Sequence, residues 1–201
     1  MKKILSNWEK SAIFGLTLFL TIGLIKVGIG IVKVQANNTA QTLPFSQNWT
    51  NINLITTNDD WSAVPGIVGY RGDDPATTTA GIDPRTILAD RSTPVNVLAN
   101  QVNPDTVTTG AVAEFDAIAN PTVALQGSGT ADAPHIVIYL NTTGRSNIVF
   151  ACNIRDIDGS ADDAIQQVDV QYRVGGTGDY TSVPGGYIAD ATTGGSATQV
   201  T

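Results

Sequence analysis

The stretch "QVDVQYRV", residues 167–174, alternates without a break. Val168, Val170, Tyr172 and Val174 fall on one side of an extended chain, and Gln167, Asp169, Gln171 and Arg173 on the other. Successive side chains of a strand point to opposite faces, so the pattern predicts a strand with one apolar face turned to a core. The "GGTG" that follows (Gly175–Gly178) supplies positive-φ positions for a tight reversal into "DYTSV" (Asp179–Val183), completing a hairpin.

Upstream runs read the same way. "HIVIYLN" (His135–Asn141) sets Ile136, Ile138 and Leu140 against His135, Val137, Tyr139 and Asn141. "NIVFACNI" (Asn147–Ile154) puts Ile148, Phe150, Cys152 and Ile154 on one face. "VAEFDAI" (Val112–Ile118) and "TVALQG" (Thr122–Gly127) form a pair joined through Asn120 and Pro121, and Trp61 with "GIVGYRG" (Gly66–Gly72) forms another piece. The Thr-, Pro- and Asp-rich stretch from Asp73 to Thr109 is long for a structureless loop, so "TILAD" (Thr86–Asp90) and "VNVLAN" (Val95–Asn100) are expected to carry short strands or a helical turn. After the N-terminal leader no segment shows a sustained helical stripe, and short β-rich runs cut by Gly, Pro, Asn and Asp predict an all-β fold. The expected architecture is an antiparallel β-sandwich of jelly-roll type, preceded by a hydrophobic export helix.

The first 36 residues stand apart. Lys2, Lys3 and Lys10 precede an uncharged apolar run (Ser11–Ile25), and "VQA" (Val34–Ala36) offers small residues at a cleavage site, the three parts of a secretory signal. The apolar run reaches only about 22 Å as a helix, against a hydrocarbon core of roughly 30 Å. An uncleaved anchor would use residues 11–32 with Lys26 snorkelling, and this is the chain's expected route to a membrane. Either outcome sends everything after residue 36 across the cytoplasmic membrane, so the expected location is extracellular or cell-surface. Residues 1–36 are thus a signal peptide or membrane anchor, residues 37–42 a polar spacer, and residues 43–201 the β-sandwich module.

Beyond the leader the chain holds six arginines, no lysine and seventeen acids, a balance of −11. Such a surface repels phosphate backbones and argues against a nucleic-acid partner, while it suits contact with divalent cations. Cys152 is the single cysteine, so no internal disulfide forms and stability must come from packing.

Between the last two alternating runs lies "RDIDGSADD", with Asp156, Asp158, Asp162 and Asp163 within eight residues. Hard oxygen donors at this spacing suit Ca²⁺, the one cofactor the sequence suggests, and the competing reading is a plain acidic turn. The match to a helix-loop-helix calcium loop is poor: counting from Asp156, glycine falls at the fourth position and Gln167 at the twelfth. Ile154 points inward, so an unbroken strand would carry Asp156 and Asp158 inward as well. The strand must therefore end or bulge near Arg155, or the acids must meet a cation, for which Arg155 itself is a candidate.

No catalytic constellation is legible. His135 is the lone histidine and starts a strand, Cys152 has the parity of a core residue, and neither sits in a nucleophile-elbow or zinc-ligand pattern. Trp49, Trp61, Tyr139 and Tyr172 are the aromatics that would stack a surface glycan, with core packing as the competing role.

Four segments carry a resemblance: "GIVGYRGD" (Gly66–Asp73), "GIDP" (Gly81–Pro84), the run from Gly110 to Ile148 and the run from Arg155 to Gly194. Together they resemble a β-sandwich module of large secreted bacterial, cyanobacterial-type proteins, over about residues 43–201. That module often stands ahead of lamin-tail-like domains or an extracellular nuclease of the endonuclease/exonuclease/phosphatase type. The resemblance implies an architecture and no active residues. It also implies further strands after Thr201, so the module is expected to be truncated at its C-terminus. The expected function is that of an exported, non-catalytic accessory module at the front of a larger extracellular protein; the alternative is a calcium-assisted surface-binding or adhesion module.

Overall fold

The computed structural model describes residues 36–72, 82–89, 94–158 and 165–191, and the backbone pairing of 198–200. The leader, Asp162 and Asp163 lie outside these residues, and with them the export helix and half of the proposed calcium ligands. Among the described residues no helix is long and apolar enough to cross a membrane.

The fold is all-β. In chain order the strands are β1 (Gln41–Thr42), β2 (Ile67–Tyr70), β3 (Leu98–Gln101), β4 (Ala111–Phe115), β5 (Thr122–Gln126), β6 (His135–Ile138), β7 (Leu140–Asn141), β8 (Cys152–Ile154), β9 (Val168–Tyr172), β10 (Thr181–Ile188) and β11 (Thr198–Val200). The only helical elements among the described residues are two 3-10 turns, Pro84–Thr86 and Pro104–Thr106. Each turn has Pro at its start and an Asp83 or Asn103 side chain capping the N–H of Arg85 or Asp105.

Pairing runs in small ladders rather than two broad sheets: β3–β4–β5, and the pairs β2–β6, β1–β7, β8–β11 and β9–β10. β4 and β5 pair antiparallel from Ala111↔Gln126 to Phe115↔Thr122, as the sequence leads one to expect. β3 beside β4 and β1 beside β7 are parallel, a departure from a wholly antiparallel sandwich. The connection of residues 102–110, with its 3-10 turn, returns the chain in the direction of β3 rather than reversing it. "HIVIYLN" breaks at Tyr139, whose N–H donates to the Gly66 carbonyl while its own carbonyl accepts from Gln41 N–H; β6 and β7 thereby serve different partners.

The core gathers around Trp61. Its indole is fully buried with Ile55, Val64, Ile67, Val68, Val97 and Val112, and Phe45, Trp49, Ile138 and Tyr139 pack from outside. Trp49 meets it edge-on, ring centroids 6.2 Å apart. Gly69 is obligatory beneath the ring, because a Cβ there would collide with the indole.

Asn96 ties this core together. Its N–H donates to the Gly69 carbonyl, 3.0 Å, and its own carbonyl accepts the Trp61 indole N–H, 3.0 Å. Its Oδ1 accepts Val112 N–H at 3.1 Å, and its Nδ2 donates to Asp59 Oδ1 at 3.2 Å. The same loop lines the outer edge of the 96–100 segment: Asp59 Oδ1 also accepts Val97 N–H, Asn58 Oδ1 accepts Ala99 N–H, and Asp59 N–H donates to the Val97 carbonyl. "NDDW" thus does with side chains what a neighbouring strand would do with its backbone, supported by Asp59 at φ 61.

Two alternating runs behave differently from their pattern. Only Cys152–Ile154 of "NIVFACNI" forms a ladder, and Ile148, Val149 and Phe150 are 45%, 75% and 41% exposed. In "QVDVQYRV" the hairpin with β10 forms as expected, with Gly175 and Gly178 at φ 82 and 92, yet Tyr172 and Val174 are exposed. Alternation states which face a strand would bury; burial also needs a layer to pack against, and a two-stranded ribbon supplies none. β10 is further kinked between Ser182 and Tyr187, where "VPGG" loops out of register.

Asn96→Ala removes the acceptor of the fully buried Val112 N–H and the partner of Asp59. Leaving a buried donor unsatisfied costs about 1–3 kcal/mol. Urea unfolding should show that loss for Asn96→Ala, whereas Val174→Ala, at a site 90% exposed, should stay within about 0.5 kcal/mol of wild type.

Candidate functional site

The acidic turn begins where β8 stops, at Ile154, so the strand ends beside Arg155 as the inward parity demanded. Asp156 is indeed inward, only 6% exposed, and its Oδ1 accepts Asp158 N–H at 3.2 Å in a local turn. The Arg155 guanidinium donates to the Asn120 carbonyl at 2.6 Å, pinning the start of this turn to the β4–β5 connection. Among the described residues no group of three His, Cys, Asp or Glu side chains is arranged to hold a metal. Asp156 and Asp158 are brought together, while Asp162 and Asp163 fall outside the described residues.

His135 opens β6 with its ring stacked on Tyr70, centroids 5.3 Å apart and planes at 19°. Its Nδ1 lies 2.8 Å from the Ala133 carbonyl, so that nitrogen carries the proton. Tyr70 in turn shares a 3.2 Å hydroxyl contact with Tyr139. Cys152 is half-buried in β8, and burial pushes its thiol above the usual cysteine range, toward the unreactive protonated form.

The four aromatics do not make a stacking platform. Trp61 is fully buried, Trp49 packs its edge on Trp61, and Tyr139 leans on the same core; Tyr172 alone is more than half exposed, on β9. The core role holds for Trp61, Trp49 and Tyr139, gathered by the loop that carries Trp61 inward to Asn96, and not for Tyr172.

Two polar arrangements escape the sequence reading. Glu114 lies in β4, 5% exposed, and its Oε2 accepts Asn100 N–H at 2.7 Å. Asn100 has φ 57, at the point where β3 shifts register against β4, so the carboxylate satisfies an amide the ladder cannot. Its signal was a single glutamate within "AVAEF", a strand buried on both faces. The second arrangement centres on Asp169 of β9, whose Oδ2 accepts Ser182 Oγ at 2.7 Å and Gln171 Nε2 at 3.0 Å. Gln171 also reaches the Pro84 carbonyl, and Arg85, paired with Asp83, lies 3.9 Å above the Tyr187 ring. These contacts fasten the first 3-10 turn to the β9–β10 ribbon.

A shallow groove of about 270 Å³ remains, walled by Leu43, Pro44, Phe45, Ile148 and Val149 with Arg145 at its rim. It borders the exposed run Ile148, Val149 and Phe150.

No family model, no curated protein and no solved structure matches this chain.

Burial raises the Glu114 carboxyl above the usual glutamate range; the Asn100 N–H opposes this and the Asp116 charge adds to it. A carboxyl raised on folding contributes stability that is full below the unfolded pKa of about 4.3 and is lost as pH rises through the folded value. The stability difference between wild type and Glu114→Gln should therefore fall as pH rises from about 4, then level off. A difference that stays flat would show that folding does not shift this carboxyl, and one that grows would show the carboxylate to be favoured by its site.

Proposed function

We propose that the chain is an exported, non-catalytic β-sandwich module of jelly-roll type, an accessory at the front of a larger extracellular protein. The observation that carries this reading is the employment of the residues best suited to chemistry. His135 is committed to Tyr70 and the Ala133 carbonyl, the Cys152 thiol is held protonated, and Glu114 serves the Asn100 amide. What the chain presents outward is surface, acidic over most of its length and apolar at residues 148–150. The export leader fits an extracellular module, and the sequence resemblance supplies the accessory role.

A calcium-assisted surface-binding module is the second reading, favoured by the burial of Asp156 directly ahead of Asp158. A divalent ion held with Asp162 and Asp163 would offset the cost of taking that carboxylate out of water.

The test recovers the chain from its host by fractionation and mass measurement, then assays it. The accessory reading expects extracellular or surface material, hydrolysis of phosphodiester, ester and glycoside substrates at the buffer rate, and thermal melting indifferent to calcium. Turnover abolished by His135→Ala or Cys152→Ser would overturn it. A chelator-reversible rise in melting temperature would select the calcium reading: about 1.4 kcal/mol is expected at ten times the dissociation constant.

A further inference from the structure

Asn48 opens the tripeptide Asn48–Trp49–Thr50, an acceptor sequence for N-linked glycan in exported chains. Its loop alternates in and out. Trp49, at φ 60, turns inward and sets its ring edge-on to Trp61, centroids 6.2 Å apart, while Asn48 and Thr50 on either side are exposed. Gln47 Oε1 holds the bend by accepting the N–H groups of Asn48 and Trp49, at 3.0 and 3.1 Å. The Thr50 hydroxyl donates to Asn48 Oδ1 at 2.9 Å, and Thr50 N–H donates to the same oxygen at 3.2 Å. Asn48 Nδ2 makes no hydrogen bond among the described residues. The nucleophilic end of the side chain is therefore open, and its oxygen end is held by two donors.

We propose that Asn48 is a glycan-acceptor site, its donor a glycan carried on a polyprenyl diphosphate. The site rests on the exported-module reading, which brings the folded loop to the outer side of the cytoplasmic membrane. In the transfer, Asn48 Nδ2 attacks the anomeric carbon of the first sugar. The bond from that carbon to the diphosphate oxygen breaks, the oxygen keeps the electron pair, and the amide proton passes to a base of the transferring enzyme. A carboxamide nitrogen is a weak nucleophile, because its lone pair is delocalised onto oxygen. Two donors on Oδ1 stabilise the negative charge that gathers there as the N–H proton leaves. Two further acceptor tripeptides open at Asn37 and Asn141. Asn37 commits its Nδ2 to the Ser62 carbonyl at 3.3 Å, and Asn141 takes the Thr143 N–H at 3.0 Å with no hydroxyl bond among the described residues. Asn51 supplies a contrast within the same loop. It is exposed and its Oδ1 accepts the Asn53 N–H at 3.2 Å, yet position 53 carries no hydroxyl.

The test is mass measurement of the chain recovered from each fraction of its host and cleaved at arginine. The peptide that ends at Arg71 holds Asn37, Asn48 and Asn51. Its fragmentation should place a glycan on Asn48 and leave Asn51 bare. Thr50→Val should lower occupancy at Asn48 at least about tenfold, the worth of one hydrogen bond to a group bearing charge. Thr50→Ser keeps the hydroxyl and should stay modified. Asn53→Thr adds a hydroxyl to the second turn and should bring glycan to Asn51. These changes fall at exposed positions, so the fold is not at risk. An exported chain bare at Asn48 would overturn the site and leave the exported-module reading standing, whereas a bare chain kept inside the cell would overturn both. Glycan at Asn48 that survives Thr50→Val would also contradict the assignment, because a modification indifferent to the hydroxyl does not use this geometry.

Discussion

Asn96 uses all four of its polar groups, and the packed part of the molecule depends on them. Its backbone holds β2 through Gly69 and the Trp61 indole, its amide oxygen holds β4 through Val112, and its amide nitrogen holds the 58–61 loop through Asp59. Each bond alone is worth only about 1 kcal/mol net. Their joint effect is larger, because they fix the one geometry in which Trp61 fits under Gly69 and the edge of β3 meets the Asn58 and Asp59 side chains instead of water. Hydrophobic burial drives this core, and the asparagine decides its arrangement.

Away from that centre the packing thins. Residues 45–139 supply nearly all of the fully buried apolar side chains, whereas the hairpin of β9 and β10 is fastened by polar contacts around Asp169 and by Arg85 over Tyr187. Such contacts between half-exposed groups hold position more than they stabilise. The exposed run of Ile148–Phe150 belongs to this thinner part.

What was legible in the sequence was local. The β4–β5 pair and the β9–β10 hairpin follow from alternation and turn residues because their partners are neighbours along the chain. The inward parity of Ile154 called for the strand to end or bulge near Arg155, and β8 does end at Ile154. The role of "NDDW" was not legible, since Asp59 and Asn58 meet amides 38 and 41 residues away and nothing local announces them. Glu114 was hidden because a strand buried on both faces has no alternation from which an odd residue could stand out. Residues 147–150 carry the pattern of a core strand, but pattern records what a segment would bury and not whether a layer exists to bury it.

Amide hydrogen exchange tests the central role of Asn96 most directly. If the asparagine and the "NDDW" loop organise the fold, the amides of Val97, Ala99, Asn100 and Val112 open only with global unfolding and exchange slowest of all, orders of magnitude behind those of the 174–178 hairpin turn. Exchange of these four amides at the rate of the hairpin turn would contradict the account, and would place the organising contacts elsewhere in the chain.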